Sequence, residues 1–127
     1  TMAAGVAALT HMRDNKETVY PYLNEQGDRL AAKVNKYCEE RQMGAELNNA
    51  GSIMYMHFKR GIKTSRDLTD ENHDAEREFY VHLMTKGVIV PGIHLFFIST
   101  EHTPEDIDTI ADAFCESLQD VREDGII

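Results

Sequence analysis

Histidine is the side chain here with the most chemical options, and the chain carries six: His11, His57, His73, His82, His94 and His102. Zinc sites built from histidine and cysteine show tight ligand pairs such as Cys-x-x-Cys or His-x-x-x-His. No such pair occurs; His73 and His82 are nine residues apart on one expected helix. His57, His94 and His102 could converge across strands, but no carboxylate is obviously beside them. The expectation is solvated or structurally bonded histidines and no metal site.

Other reactive residues are equally isolated. Cys38 and Cys115 fall on apolar helix faces, where a thiol is usually an inert packing group. A Gly-x-Ser-x-Gly elbow, a Walker loop and a dinucleotide fingerprint are all missing from the sequence. A Schiff-base lysine needs a desolvated pocket, and only Lys59, at the end of an expected central strand, is arguable. Its neighbours Arg60 and Gly61 read as a solvated exit. These residues contain no complete catalytic constellation and no cofactor-binding set.

The elements that would position them follow from periodicity. Helices are expected over Met2–Arg13, Thr18–Arg41, about Asn72–Lys86, and from Pro104 onward. The second carries an apolar stripe of Val19, Tyr22, Leu23, Leu30, Val34, Tyr37 and Cys38. The third points Ala75, Phe79, Leu83 and Met84 inward, with Gly87 as its cap. The last has Thr103 as N-cap and Pro104 at the first helical position, then buries Ile107, Ile110, Ala111, Phe114, Leu118 and Val121. Strands are expected at Ala45–Leu47, Ser52–Lys59, Val88–Val90 and Ile93–Ser99, with turns at Asn48–Gly51 and Pro91-Gly92. Arg60–Asn72 reads as a polar, mobile connection, with the order of 61–71 left open.

This order describes an α+β fold, a small and mainly antiparallel sheet with helices on one face. The stretch "SIMYMHF" does not alternate apolar with polar, so both faces of its strand should be covered. Burying such side chains is worth about 1.5–3 kcal/mol each, enough to drive docking onto a second domain or subunit. The Ala- and Gly-rich start likewise suggests close packing, and Thr1 reads as a cut inside a longer protein. The expected division is one domain over 1–127, with 1–16 an interdomain helix, 17–122 the core and 123–127 a tail.

Bulk properties narrow the partners. The 127 residues are 42% apolar and 28% charged, which suits one folded domain. A formal charge of −9 argues against a nucleic-acid partner. No apolar run reaches the ~20 residues of a membrane span. Two widely separated cysteines fit a reducing, cytoplasmic setting.

Three stretches carry a family likeness. "TMAAGVAAL" resembles the segment after the Gly-Asn-Pro motif of class III (fold-type I) PLP-dependent aminotransferases. "NNAGSIMYMHF" resembles that family's Val-Gly-Ser-Met-Phe strand. "GVIVPG" followed by "FFISTEHTPEDIDTIADAF" resembles its closing stretch, nearest to the glutamate-1-semialdehyde 2,1-aminomutase group. The resemblance covers nearly all of the chain. It implies the small C-terminal domain of a homodimeric enzyme that moves amino groups through pyridoxal 5'-phosphate on a small amino or keto substrate. It also implies that the PLP-bearing lysine and the other cofactor contacts precede Thr1, so this segment alone would be inactive and would not bind PLP.

One departure bears on substrate. The aminomutases carry Pro-(Pro/Ser)-x-x-Phe-Glu-Ala where this chain has the shorter "PGIHLFF", and His94 stands where that glutamate would be. The resemblance makes His94 a substrate-pocket candidate and favours a transaminase over a strict aminomutase. The alternative reading is a free-standing α+β binding or interaction module without catalytic activity.

Overall fold

The computed structural model describes residues 1–91 and 95–127. Helix α1 (Met2–Asp14) leads almost directly into α2 (Lys16–Glu40). The hairpin β1 (Glu46–Ala50) and β2 (Ile53–His57) follows, then a short 3-10 turn at Ser65–Leu68. Helix α3 (His73–Thr85), strand β3 (Phe96–Phe97) and helix α4 (Pro104–Glu123) complete the chain. The sheet is antiparallel in the order β1-β2-β3. The expected α+β class, with helices packed against a small antiparallel sheet, is the one observed.

The core lies between one sheet face and α2, α3 and α4. Leu47, Met54, Met56 and Phe96 come from the strands, Leu30 and Val34 from α2, Phe79 and Leu83 from α3, and Ile107, Phe114 and Leu118 from α4. Phe114 sits edge-on to Phe79 at 5.1 Å between centroids, and Phe96 lies 5.5 Å from Phe114. Such tilted pairings suit the ring quadrupoles. Met84 is half exposed, and Tyr80 takes the inward position instead. Ile110 is only partly buried.

Helix α4 starts where the sequence marks it. The Thr103 hydroxyl accepts from Asp106 N at 3.2 Å, while the Asp106 carboxylate accepts from Thr103 N at 2.8 Å. This reciprocal box satisfies two groups that a helix end otherwise leaves open.

Three expectations need correction. Asn48, Asn49 and Ala50 form the second half of β1, and the chain reverses at Gly51-Ser52. Side chains around α2 make this possible: Asn35 donates to Leu47 O at 2.9 Å and accepts from Leu47 N at 2.7 Å, and Asn49 donates to Asp28 at 2.8 Å. Val88–Val90 lies outside the sheet, set off by Gly87 (φ 83) and by Val88 N donating to Leu83 O. Of the strand expected over Ile93–Ser99, the described residues pair only at Phe96–Phe97, although Ile98 N also donates to Ser52 O. Gly92 and Ile93, expected in a turn and a strand, lie outside the described residues.

The outer face of β2 is covered unevenly. Toward His57, the chain covers itself: the 61–71 connection is tied down by Glu46, which accepts from Gly61 N and Ile62 N, and by Glu71. That segment is therefore hydrogen-bonded to the sheet at both of its ends. Toward the other end, Ile53 is 42% exposed beside its cross-strand partner Phe97 at 62%. Helix α1 buries none of its residues and leaves Met2, Val6 and Leu9 exposed.

Candidate functional site

Five of the six histidines are described, and each has a bonded role. His57 Nδ1 is 3.0 Å from Glu71, His73 Nδ1 is 3.2 Å from Glu76, and His82 Nε2 is 2.8 Å from Asp124. His11 meets the Asn15 amide, and His102 meets Ser99. Glu71 thus stands beside His57, where the sequence offered no obvious carboxylate. Glu71 arrives from fourteen residues downstream of His57, a spacing with no periodic signature. Among the described residues, no three His, Cys, Asp or Glu side chains are grouped to hold a metal ion.

A polar cluster sits at the His57 end of β2. Glu71 bridges His57 Nδ1 and Phe58 N, and Glu76 accepts from the Tyr55 hydroxyl at 2.7 Å. Burial, and then the bond to Glu76, push the Tyr55 phenol well above its ordinary range; burial does the same for Tyr80. Both phenols therefore stay protonated at neutral pH. Desolvation also raises the thiols of Cys38 and Cys115 to about 11, so neither is a nucleophile near neutrality.

Lys59 is half-buried just past β2. Lys16, Lys33, Lys36 and Lys86 pair with Glu17, Asp112, Glu40 and Asp120 respectively. Lys33 and Lys36 line a groove with Tyr37, Asp112 and Cys115, where both are paired with carboxylates.

His94 itself is outside the described residues; its flanks are not. Val88–Pro91 and Phe96–Ile98 border a cleft of about 290 Å³, floored by Leu30 and Phe114 and edged by His102. A second groove of about 360 Å³ runs between α1, α2 and β3, lined by Ala8, Met12, Leu23, Phe97 and Thr100 among others. Phe97 lines both clefts and is itself exposed. The turn from β3 into α4 is held firmly: Tyr22 donates to the His102 carbonyl at 2.5 Å, and Ser99 N donates to His102 Nδ1 at 3.1 Å.

Comparison with known proteins sets this geometry in context. No family model matches the chain. A glutamate-1-semialdehyde 2,1-aminomutase of Alkaliphilus oremlandii is 31% identical over 126 residues, covering 96% of this chain and 28% of the relative. Its counterpart from Clostridium botulinum (strain Alaska E43) is 29% identical over 117 residues, covering 89% and 27%. The chain therefore spans little more than a quarter of the length of the curated relatives it matches. Among solved structures, an omega-transaminase from Sphaerobacter thermophilus superposes with a TM-score of 0.74 at 22% identity, over 92% of this chain and 27% of that one. A β-phenylalanine aminotransferase from Variovorax paradoxus gives 0.69 at 25% identity, over 75% and 22%. Sequence and fold thus match this chain, over most of its length, to the C-terminal fragment of class III PLP-dependent aminotransferases, in the neighbourhood of the glutamate-1-semialdehyde 2,1-aminomutases.

Proposed function

We propose that the chain is the small C-terminal domain of a longer PLP-dependent aminotransferase or aminomutase, with α1 as the interdomain helix and residues 123–127 as a tail. The observation that carries this is the asymmetry of the match: 96% of this chain against 28% of the relative. The uncovered surface agrees with it. Met2, Val6 and Leu9 on α1, together with Ile53 and Phe97 on the outer sheet face, form the apolar area that an upstream PLP domain would cover.

In this reading PLP supplies the electron sink for amino transfer, held by residues upstream of Thr1. The role of this segment is to pack against that domain, contribute to a homodimer in the cytoplasm, and form one wall of the pocket for a small amino or keto substrate. His94 lies between Pro91 and Leu95, where the resemblance places the glutamate of the aminomutases. A neutral or cationic imidazole at that position favours a transaminase with a different amino donor. A free-standing interaction module is the second reading, favoured by a core that closes within this one chain, with Leu30, Phe79 and Phe114 fully buried.

The test is to express the protein encoded by the reading frame extended upstream of Thr1 and to measure PLP uptake by absorbance, then amino transfer. The expected result is PLP uptake and turnover by the longer protein, and no uptake by residues 1–127 alone. A stop codon immediately upstream, or PLP captured covalently by this chain's own lysines, would overturn the proposal.

A further inference from the structure

Basic side chains in this protein are nearly all matched to carboxylates, except in one place. Of the thirteen Lys and Arg residues, nine are ion-paired among the described residues. Arg122 has no such pair but donates to the Arg41 carbonyl at 2.9 Å. The remaining three, Lys59, Lys63 and Arg66, fall in one short stretch, "KRGIKTSR". Arg60, in the same stretch, meets Glu39 at 3.3 Å across two exposed side chains. A pair of that kind contributes little and opens readily.

The backbone that carries these cations is held in shape from within. Glu46 accepts from Gly61 N at 2.8 Å and Ile62 N at 3.0 Å, and Glu71 accepts from Phe58 N at 3.1 Å. Asp67 accepts from Lys63 N, Thr64 N and the Thr64 hydroxyl. The three carboxylates are thus engaged by backbone N–H groups, and the cationic heads of Lys59, Lys63 and Arg66 are left over. Lys63 and Arg66 are exposed, and Lys59 is half-buried. A surface whose backbone is already fixed loses less freedom when a partner binds.

The same contacts select the kind of partner. The N–H groups of Lys63 and Thr64, which could cradle one phosphate, are filled by Asp67. A compact anion would therefore meet side chains alone. A nucleic-acid backbone is disfavoured by the overall charge of −9. Carboxylates spaced along an extended segment match cations spaced along an extended stretch. We propose that Lys59, Arg60, Lys63 and Arg66 form a docking surface for a short acidic segment of a partner polypeptide. The surface lies past the His57 end of β2, about 13 Å along the strand from Ile53. It is separate from the apolar face assigned to an upstream domain and stands whether or not that reading does.

The probe is an acetylated, amidated Glu-Asp-Glu-Glu-Asp-Glu peptide, titrated into the 127-residue chain at low ionic strength while backbone amide resonances are followed. Saturable shifts are expected at residues 59–67, and binding should weaken as salt is raised to about 0.15 M, where exposed charges are screened beyond ~8 Å. Lys63→Ala/Arg66→Ala should lower the affinity about fivefold or more. Lys16→Ala/Lys36→Ala removes the same charge elsewhere and should stay within about twofold of wild type. The proposal is overturned by an absence of saturable shifts, or by shifts centred on α1 and Phe97. It is equally overturned if inorganic phosphate or a single-stranded oligonucleotide binds more tightly than the peptide. Equal affinity in a folded Lys63→Ala/Arg66→Ala protein, or an equal loss in Lys16→Ala/Lys36→Ala, would also sink it. If the first variant does not fold, the wild-type shift map and the ranking of the three anions decide.

Discussion

Gly27 of α2 packs against the carbonyl of Gly51 so closely that a Cβ on Gly27 would overlap that oxygen and stand 2.9 Å from the Gly51 carbonyl carbon. The helix can lie this near the hairpin turn only because one side has no side chain. Gly51 adopts φ +61, and a Cβ there would run into the Asn24 side chain. Gly27→Ala should therefore destabilise the fold by about 1–3 kcal/mol, as overpacking does, although alanine is the better helix former. Urea denaturation checks this; a Gly27→Ala protein as stable as wild type would mean that the helix and hairpin can separate without cost.

The Glu71 bridge gives a second prediction. Its carboxylate is 4% exposed and accepts from Phe58 N at 3.1 Å while meeting His57 Nδ1 at 3.0 Å. Glu71→Ala would leave two buried polar groups without a partner, at about 1–3 kcal/mol each. Glu71→Gln keeps an acceptor and should lose less. Amide hydrogen exchange should accelerate over 59–71 in Glu71→Ala, because that segment is tied to the sheet there; unchanged protection would assign the anchoring to Glu46 alone.

Acid stability follows from two capping carboxylates. Asp106 is held below its usual 3.8 mainly by the Thr103 N–H and then by the Thr103 hydroxyl; Asp67 is lowered in the same way by the N–H groups of Lys63 and Thr64. A depressed folded-state value means that the unfolded chain binds protons first as pH falls. The stabilisation is complete above 3.8 and is lost as pH drops through the lower folded-state values. Thermal midpoints should fall on acidification below about pH 4, and more shallowly in Asp67→Asn/Asp106→Asn. Parallel slopes would show that neither box contributes to the acid limb.

Legibility in the sequence tracked how local each cause was. Helix α4 could be read because Thr103, Pro104 and Asp106 are neighbours and the apolar spacing repeats. The hairpin was misplaced because the asparagines that look like a turn are satisfied by partners more than ten residues away, such as Asn49 by Asp28. Cover for the outer face of β2 was attributed wholly to another domain, yet the His57 end is closed by Glu71 from a stretch with no apolar pattern. Among the described residues of that face, Ile53 and Phe97 at the other end are exposed. His102 was visible as part of a motif, but its orientation depends on the Ser99 N–H and Tyr22, which no spacing rule connects.

The segment from Pro91 to Leu95 supplies the last prediction, which belongs to the longer enzyme. His94 is proposed to face the substrate in place of an acid, so its effect should fall on selectivity rather than on folding. His94→Ala should change the ratio of kcat/KM between amino donors by about tenfold or more, which corresponds to ~1.4 kcal/mol of differential transition-state binding. Its melting temperature should stay close to that of wild type. His94→Glu restores the acidic group of the aminomutases and should move donor preference in the opposite direction from alanine if charge is what matters. Unchanged kinetics in both variants with a lowered melting temperature would assign His94 to packing, and the substrate wall would have to be sought elsewhere along 88–91 and 96–98.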